Sequence, residues 1–246
     1  MKKVMRMLLG GILTLAMMLS VNTSVFAAEV GGKTECDYQA TNYDQSILDC
    51  LSLEMATELQ QQVDEIRRNQ PDVTDDELNV FIMDNIEEAY YAKKMSRSYD
   101  VPYLKDKLNA TEKNLFASNP TKGLYAVSAA NTATTWAANL FTEDSLFQGN
   151  GDAYRHSMWQ AILAKAYGSA YAKQWGDAHE VGCDNATDST MDLRNNAIGR
   201  NVGVALTGNQ SVEARLSSTL LQKISSGQLW RIVNGLLCAT DGTGRK

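Results

Sequence analysis

Apolar positions recur at helical spacing along most of this chain. Between Ser46 and Arg68, the residues Ile47, Leu48, Leu51, Leu53, Met55, Leu59, Val63 and Ile66 fall at mostly helical intervals, and Pro71 stops the run. Thr74 and Glu77 have the spacing of a capping box, after which Leu78, Phe81, Ile82, Ile86, Ala89 and Tyr90 carry a second amphipathic helix. Together they predict an antiparallel helical pair that closes near Asp100-Val101-Pro102. A short helix opens at Thr111, and Pro120 suits the first turn of an alanine-rich helix running towards Asn139. After the break at Gly149-Asn150-Gly151, helices are predicted at about 152–167, 169–181, 188–206 and 211–226, with Gly168, Gly182, Gly208 and Gly227 as their stops. No run alternates convincingly, so no strand is expected. The predicted class is all-α, a multi-helix globular domain with an N-terminal helical pair.

The start of the chain has a different pattern. Met1 to Arg6 is basic, Met7 to Val21 is almost unbroken apolar sequence, and Val25-Phe26-Ala27-Ala28 offers the small residues of a signal-peptidase site. The apolar run is about 15 residues, short of the ~20 that span a bilayer. Residues 1–28 are therefore expected to be a signal peptide. A helical segment at 29–104 and a helical domain at 105–246 follow, and no transmembrane segment is left after cleavage. The protein is expected to be secreted or extracytoplasmic.

Composition narrows the function classes. The 246 residues are 44% hydrophobic and 21% charged with 3 prolines, which excludes a wholly disordered chain. The net charge is −6 and becomes more negative without Lys2, Lys3 and Arg6 of the leader, so general nucleic-acid binding is not expected. Cys36, Cys50, Cys183 and Cys238 are an even number in a compartment where disulfides persist. Three pairings, or free thiols, are open. The simplest closure joins Cys36 to Cys50 and leaves Cys183 with Cys238.

Three polar clusters in the second half carry the chemistry. In the helix from Asp152, the residues Asp152, Arg155 and His156 share the arc of Trp159, Ile162 and Leu163, whereas Ser157 and Lys165 are expected behind it. Polar groups are thus aimed where the core should be, and must satisfy one another or meet groups from other helices. Asp177-Ala178-His179-Glu180 places a histidine beside two carboxylates, which suits acid–base work or metal ligation. Further on, Asp192, Asn195, Asn196, Gly199 and Gly203 form an inward polar strip, with Arg194 and Asn201 on the opposite side. The three clusters are expected to meet in space. Each also has a structural reading: a first-turn carboxylate, a solvated helix end, and a buried Asn/Asp packing network.

The series Gly151-Asp152-Ala153-Tyr154-Arg155-His156-Ser157-Met158-Trp159, then Asp177-Ala178-His179-Glu180, then Met191-Asp192-Leu193 with Asn195-Asn196 and Gly199-Arg200, resembles an uncharacterised bacterial domain. That domain recurs in exported proteins and at the ends of large wall-associated or toxin-like proteins. The resemblance covers about residues 110–206 and implies a site without implying a reaction. From the residues, the leading reading is an exported hydrolase acting on a phosphoester, lipid or envelope substrate. His156 and His179 are the candidate acid and base, with Asp152, Arg155, Glu180 and Asp192 as further catalytic candidates. Trp159, Asn195, Asn196 and Arg200 are candidates for substrate binding. A divalent ion held among Asp152, His156, Asp177, His179, Glu180 and Asp192 is one version of the site. The alternatives are a non-enzymatic extracellular module and a toxin-like effector.

Overall fold

The computed structural model describes residues 43–95 and 108–246. The expected leader, Cys36 and the expected boundary at 104/105 lie outside the described residues. Gln45–Cys50 form a 3-10 turn capped by the Asp44 carboxylate, and α1 follows at Leu53–Asn69. The sequence predicts one helix across this stretch. It is broken because Leu51 is extended and the Ser52 hydroxyl accepts the Met55 N–H at 3.1 Å, starting a new helix. The predicted capping box opens α2, Asp75–Met95: Thr74 and Glu77 each accept the other's backbone N–H, at 2.8 and 3.2 Å.

Asn109 and Glu112 form a second capping box at the start of α3, Ala110–Ser118. Pro120 opens α4, Pro120–Leu140, and α5, α6, α7 and α8 follow at Asn150–Tyr167, Ser169–His179, Ala186–Ala205 and Val212–Ser225. The fold is all-α in class. One small hairpin, β1 Trp230–Val233 with β2 Leu236–Ala239, departs from the expectation of no strand. Its turn is Asn234-Gly235, both at positive φ (53° and 76°), the backbone that a two-residue hairpin loop requires. Among the described residues, no helix is long and apolar enough to cross a membrane.

α5 is the central helix. It packs against α4, α6, α7 and α8, and from Asn150 to Ala164 every residue but Arg155 is buried. This corrects the expectation that Ser157 faces outward. A one-sided arc describes a surface helix, but a helix covered on all sides has no outer face. The Ser157 hydroxyl is satisfied within the helix by the carbonyls of Ala153 and Tyr154, at 2.7 and 3.1 Å. α1 and α2 pack on α4, so their apolar faces join the same core as Phe116, Phe141, Tyr154 and Trp175.

Cys50, Cys183 and Cys238 are free thiols, which overturns the expected Cys183–Cys238 bridge and leaves Cys50 unbridged. Cys183 is exposed in the turn after α6, with its Sγ directed to the Asn185 carbonyl at 3.7 Å. Cys238 lies on β2 opposite Arg231, and the Cys50 thiol donates to the Ile86 carbonyl at 3.5 Å.

Candidate functional site

The helices bring the first and third clusters face to face. Asp152 and His156 lie one turn apart on α5, and Asp192 comes from the facing α7. Their ligand atoms all lie within 4.8 Å of one another. His156 Nε2 is 3.3 Å from Asp192 Oδ1 and 3.6 Å from Asp152 Oδ1. Arg155 Nη2 donates to Asp152 Oδ1 at 2.7 Å and lies 2.6 Å from His156 Nε2. A guanidinium can only donate, so Nε2 is an acceptor and the His156 ring is neutral, with its proton on Nδ1. The electrostatics agree. Burial, helped by the charges of Arg155 and His179, holds His156 well below the usual histidine range.

The carboxylates feel the opposite pressure. Burial, followed by the negative charges of Asp152 and Glu180, pushes Asp192 up to about 8. Burial likewise raises Glu180. Glu180 Oε1 and Asp192 Oδ1 are buried without a hydrogen-bond partner among the described residues, and the Asn196 amide is buried beside the His156 ring. Converging acids beside orphaned polar atoms are what a bound cation or water would satisfy. Two carboxylates and an imidazole lone pair suit a divalent transition-type ion such as Zn²⁺ or Mn²⁺ better than Ca²⁺, which takes oxygen ligands. The Arg155 guanidinium already places positive charge against two of the three donors.

The second cluster arrives by another route. The Asn109 side chain donates to the Ala178 carbonyl at 2.7 Å, fixing the start of α3 to the end of α6. Glu112 uses one oxygen to cap Asn109, at 2.8 Å, and the other to accept from His179 Nδ1 at 2.9 Å. When the ring is neutral and Nδ1 donates, His179 Nε2 has a lone pair to offer on a ring that is partly exposed. That ring lies edge-on to Trp159, with centroids 5.4 Å apart, and 6.0 Å from the ring of His156. Sequence reasoning missed Glu112. Asn109-x-x-Glu112 is legible as a capping box, but its free oxygen meets a residue 67 positions away.

A cleft of about 110 Å³ opens beside this group. Its walls include Leu51, Leu53, Leu108, Val127 and Ala130, and its polar lining includes Glu112, Arg155 and His179. Trp159 also lines it, with the indole N–H given to the Ala126 carbonyl at 3.0 Å.

Other candidates have different partners. Asp177 is exposed and paired with Lys173, away from the carboxylates that crowd Asp192. The Asn195 amide accepts from the Trp230 N–H and donates to the Trp230 carbonyl, at 2.9 and 2.8 Å, so it holds the hairpin. Arg200 is buried and donates to Gln160 Oε1 at 3.0 Å. Gln148 is an unforeseen neighbour: its backbone N–H donates to Asp152 Oδ2 at 2.8 Å, and its side chain reaches Asp188 at 2.6 Å.

Residues 113–228 match a family model described as Domain of unknown function (DUF6973). Asp152, His156, His179 and Asp192 fall inside the match, and Glu112 directly precedes it. No curated protein and no solved structure matches the chain.

Proposed function

We propose that this chain is an exported hydrolase whose reaction centre lies where the Asp152–His156–Asp192 group meets the cleft. The observation that carries this reading is the convergence of those three donors within 4.8 Å, with the ring of a second histidine, held by a carboxylate, 6.0 Å from that of His156. Glu112 holds the His179 ring through Nδ1, leaving Nε2 to take a proton from an attacking water and return it to the leaving oxygen. Arg155 supplies positive charge at the cleft for an anionic group in the substrate. Asp152, His156 and Asp192 would hold a divalent ion, which when bound lowers the pKa of water and polarises the bond to be cleaved. Neutral His156 is a ligand in this scheme once the Arg155 guanidinium leaves the Nε2 lone pair that it occupies, and His179 is the base.

Metal analysis of the purified protein, joined to hydrolysis assays on p-nitrophenyl esters and bis-p-nitrophenyl phosphate, tests the proposal. The expected result is about one bound divalent ion, with hydrolysis lost in Asp192→Asn and His179→Ala while both variants keep their helicity. Arg155 already satisfies Asp152 and His156, and that favours a second reading, a non-enzymatic module with a polar packing network. No metal and no hydrolysis, with His156→Ala costing about 1–3 kcal/mol of stability, would establish the second reading and end the first.

A further inference from the structure

Asn196 stands between the reaction centre and a second buried polar pair. On α7 it follows Asp192 by one turn, and Gly199, which packs against Ser157, comes three residues later. That interval sets Asn196 opposite His156 and Gln160, themselves one turn apart on α5. Its amide is fully buried and lies within hydrogen-bonding reach of the His156 imidazole. On the other side, a Cβ at Gly176 would be 3.1 Å from both Asn196 Nδ2 and Gln160 Nε2. The two amides therefore share one bare spot on α6. Gln160 is held in turn, since Arg200 Nη1 donates to its Oε1 at 3.0 Å.

A neutral imidazole carries its proton on one nitrogen only. With the proton on Nε2, His156 would donate to a carboxylate and have no lone pair for an ion; with the proton on Nδ1, it needs a buried acceptor there. No backbone carbonyl or carboxylate bonds Nδ1 among the described residues, and the Asn196 side-chain oxygen is the acceptor at hand. We infer that Asn196 is a positioning residue: it accepts the Nδ1–H of His156 and so keeps the Nε2 lone pair on the side of Asp152 and Asp192, while Gln160 and Arg200 hold its amide in place. This deepens the reading of His156 as a ligand and rests on it for its catalytic meaning, but the tautomer can be measured without any metal. A leucine at 196 would fill much the same space and accept nothing.

The test is ¹⁵N NMR of the metal-free full chain labelled at histidine, which has only two residues to report, His156 and His179. The wild type should show His156 protonated on Nδ1. Asn196→Leu should move the proton to Nε2, where Asp192 Oδ1 at 3.3 Å can accept it, and Asn196→Asp, which keeps an acceptor, should restore the Nδ1 form. Zn²⁺ titration should show affinity falling by roughly 10–100-fold in Asn196→Leu. If Asn196→Leu does not fold, Gly176→Ala decides instead: its methyl presses on both amides and should give a mixture of tautomers. An Nε2 proton in the wild type, or the wild-type tautomer kept in the deciding variant, overturns the inference. The two proposals fail separately. A tautomer switch in a protein that binds no Zn²⁺ and hydrolyses nothing keeps Asn196 in its role and removes the hydrolase, whereas hydrolysis with a tautomer indifferent to Asn196 does the reverse.

Discussion

Gly199 on α7 lies against the backbone of Ser157 on α5 so closely that a Cβ there would sit 2.1 Å from the Ser157 carbonyl oxygen. Gly203, one turn on, repeats the contact, with a Cβ at 2.2 Å from the Ala161 oxygen. The two helices meet backbone to backbone, and this proximity is what lets a short Asp192 side chain reach His156. Gly199→Ala and Gly203→Ala should each destabilise the protein by about 3 kcal/mol or more, although alanine ordinarily gains ~1 kcal/mol over glycine in a helix. Chemical denaturation of the two variants checks this, and unchanged midpoints would mean that the two backbones do not meet at these glycines.

The second prediction concerns the hairpin. Asn195 holds both backbone polar groups of Trp230 from the interior of α7. Asn195→Ala should cost about 1–2 kcal/mol and speed amide exchange across 230–239, because two half-buried backbone groups lose their partners. If the metal proposal is right, metal binding at Asp192 should persist.

The pH dependence of the metal-free protein should carry the signature of Asp192. Its folded pKa is about 8 against an ordinary 3.8, so between those values the native state holds a proton that the unfolded state has lost. Stability therefore falls as pH rises through this window; below about 4 both states are protonated and the penalty is absent. Asp192→Asn removes the penalty and should stabilise the chelator-treated protein by about 2–4 kcal/mol at pH 9, with no gain near pH 4. Urea titrations at the two pH values decide it.

Glu112 holds the His179 ring at Nδ1, 2.9 Å away. Glu112→Gln keeps a side-chain acceptor for the Asn109 cap but weakens the hold on the imidazole Nδ1–H. If the hydrolase proposal is right, kcat should drop by roughly 10–100-fold with KM nearly unchanged, and the acidic limb of the pH–rate profile should move. A purely structural role would lower the melting temperature and leave the profile where it was.

Thiol accessibility separates free cysteines from bridged ones. Under denaturing, non-reducing conditions Cys50, Cys183 and Cys238 should all react with a thiol reagent. In the native protein Cys183, which is exposed, should react first, and Cys50, whose thiol burial pushes up, should lag. Peptide mapping that finds a Cys183–Cys238 bridge would contradict the structure.

Helices were legible because their signals are local. Thr74 with Glu77, Pro120 after Asn119, and glycine stops after α5 and α8 act within one or two turns, and apolar spacing names each buried face. The same local logic placed Asp152 and His156 on one side of α5, and Asp192 with Asn196 and Gly199 on one side of α7. The hairpin also had its signal, in Asn234-Gly235, but four-residue strands alternate too briefly to be seen.

What each polar group does was decided only by tertiary structure, because a partner across space leaves no trace in periodicity. Asn195 and Asn196 are neighbours on one strip, yet one clamps Trp230 and the other lies buried beside His156. Asp177 and Glu180 flank the same histidine, yet Asp177 turns to Lys173 and solvent while Glu180 joins the buried acids. Ser157 turned inward because α5 is surrounded, and Glu112 found His179 because α3 is tied to the end of α6. The sequence by itself determined which residues must be buried together. Packing decided which of them share protons and charge, since those energies depend on separations of a few ångströms that only the assembled helices set.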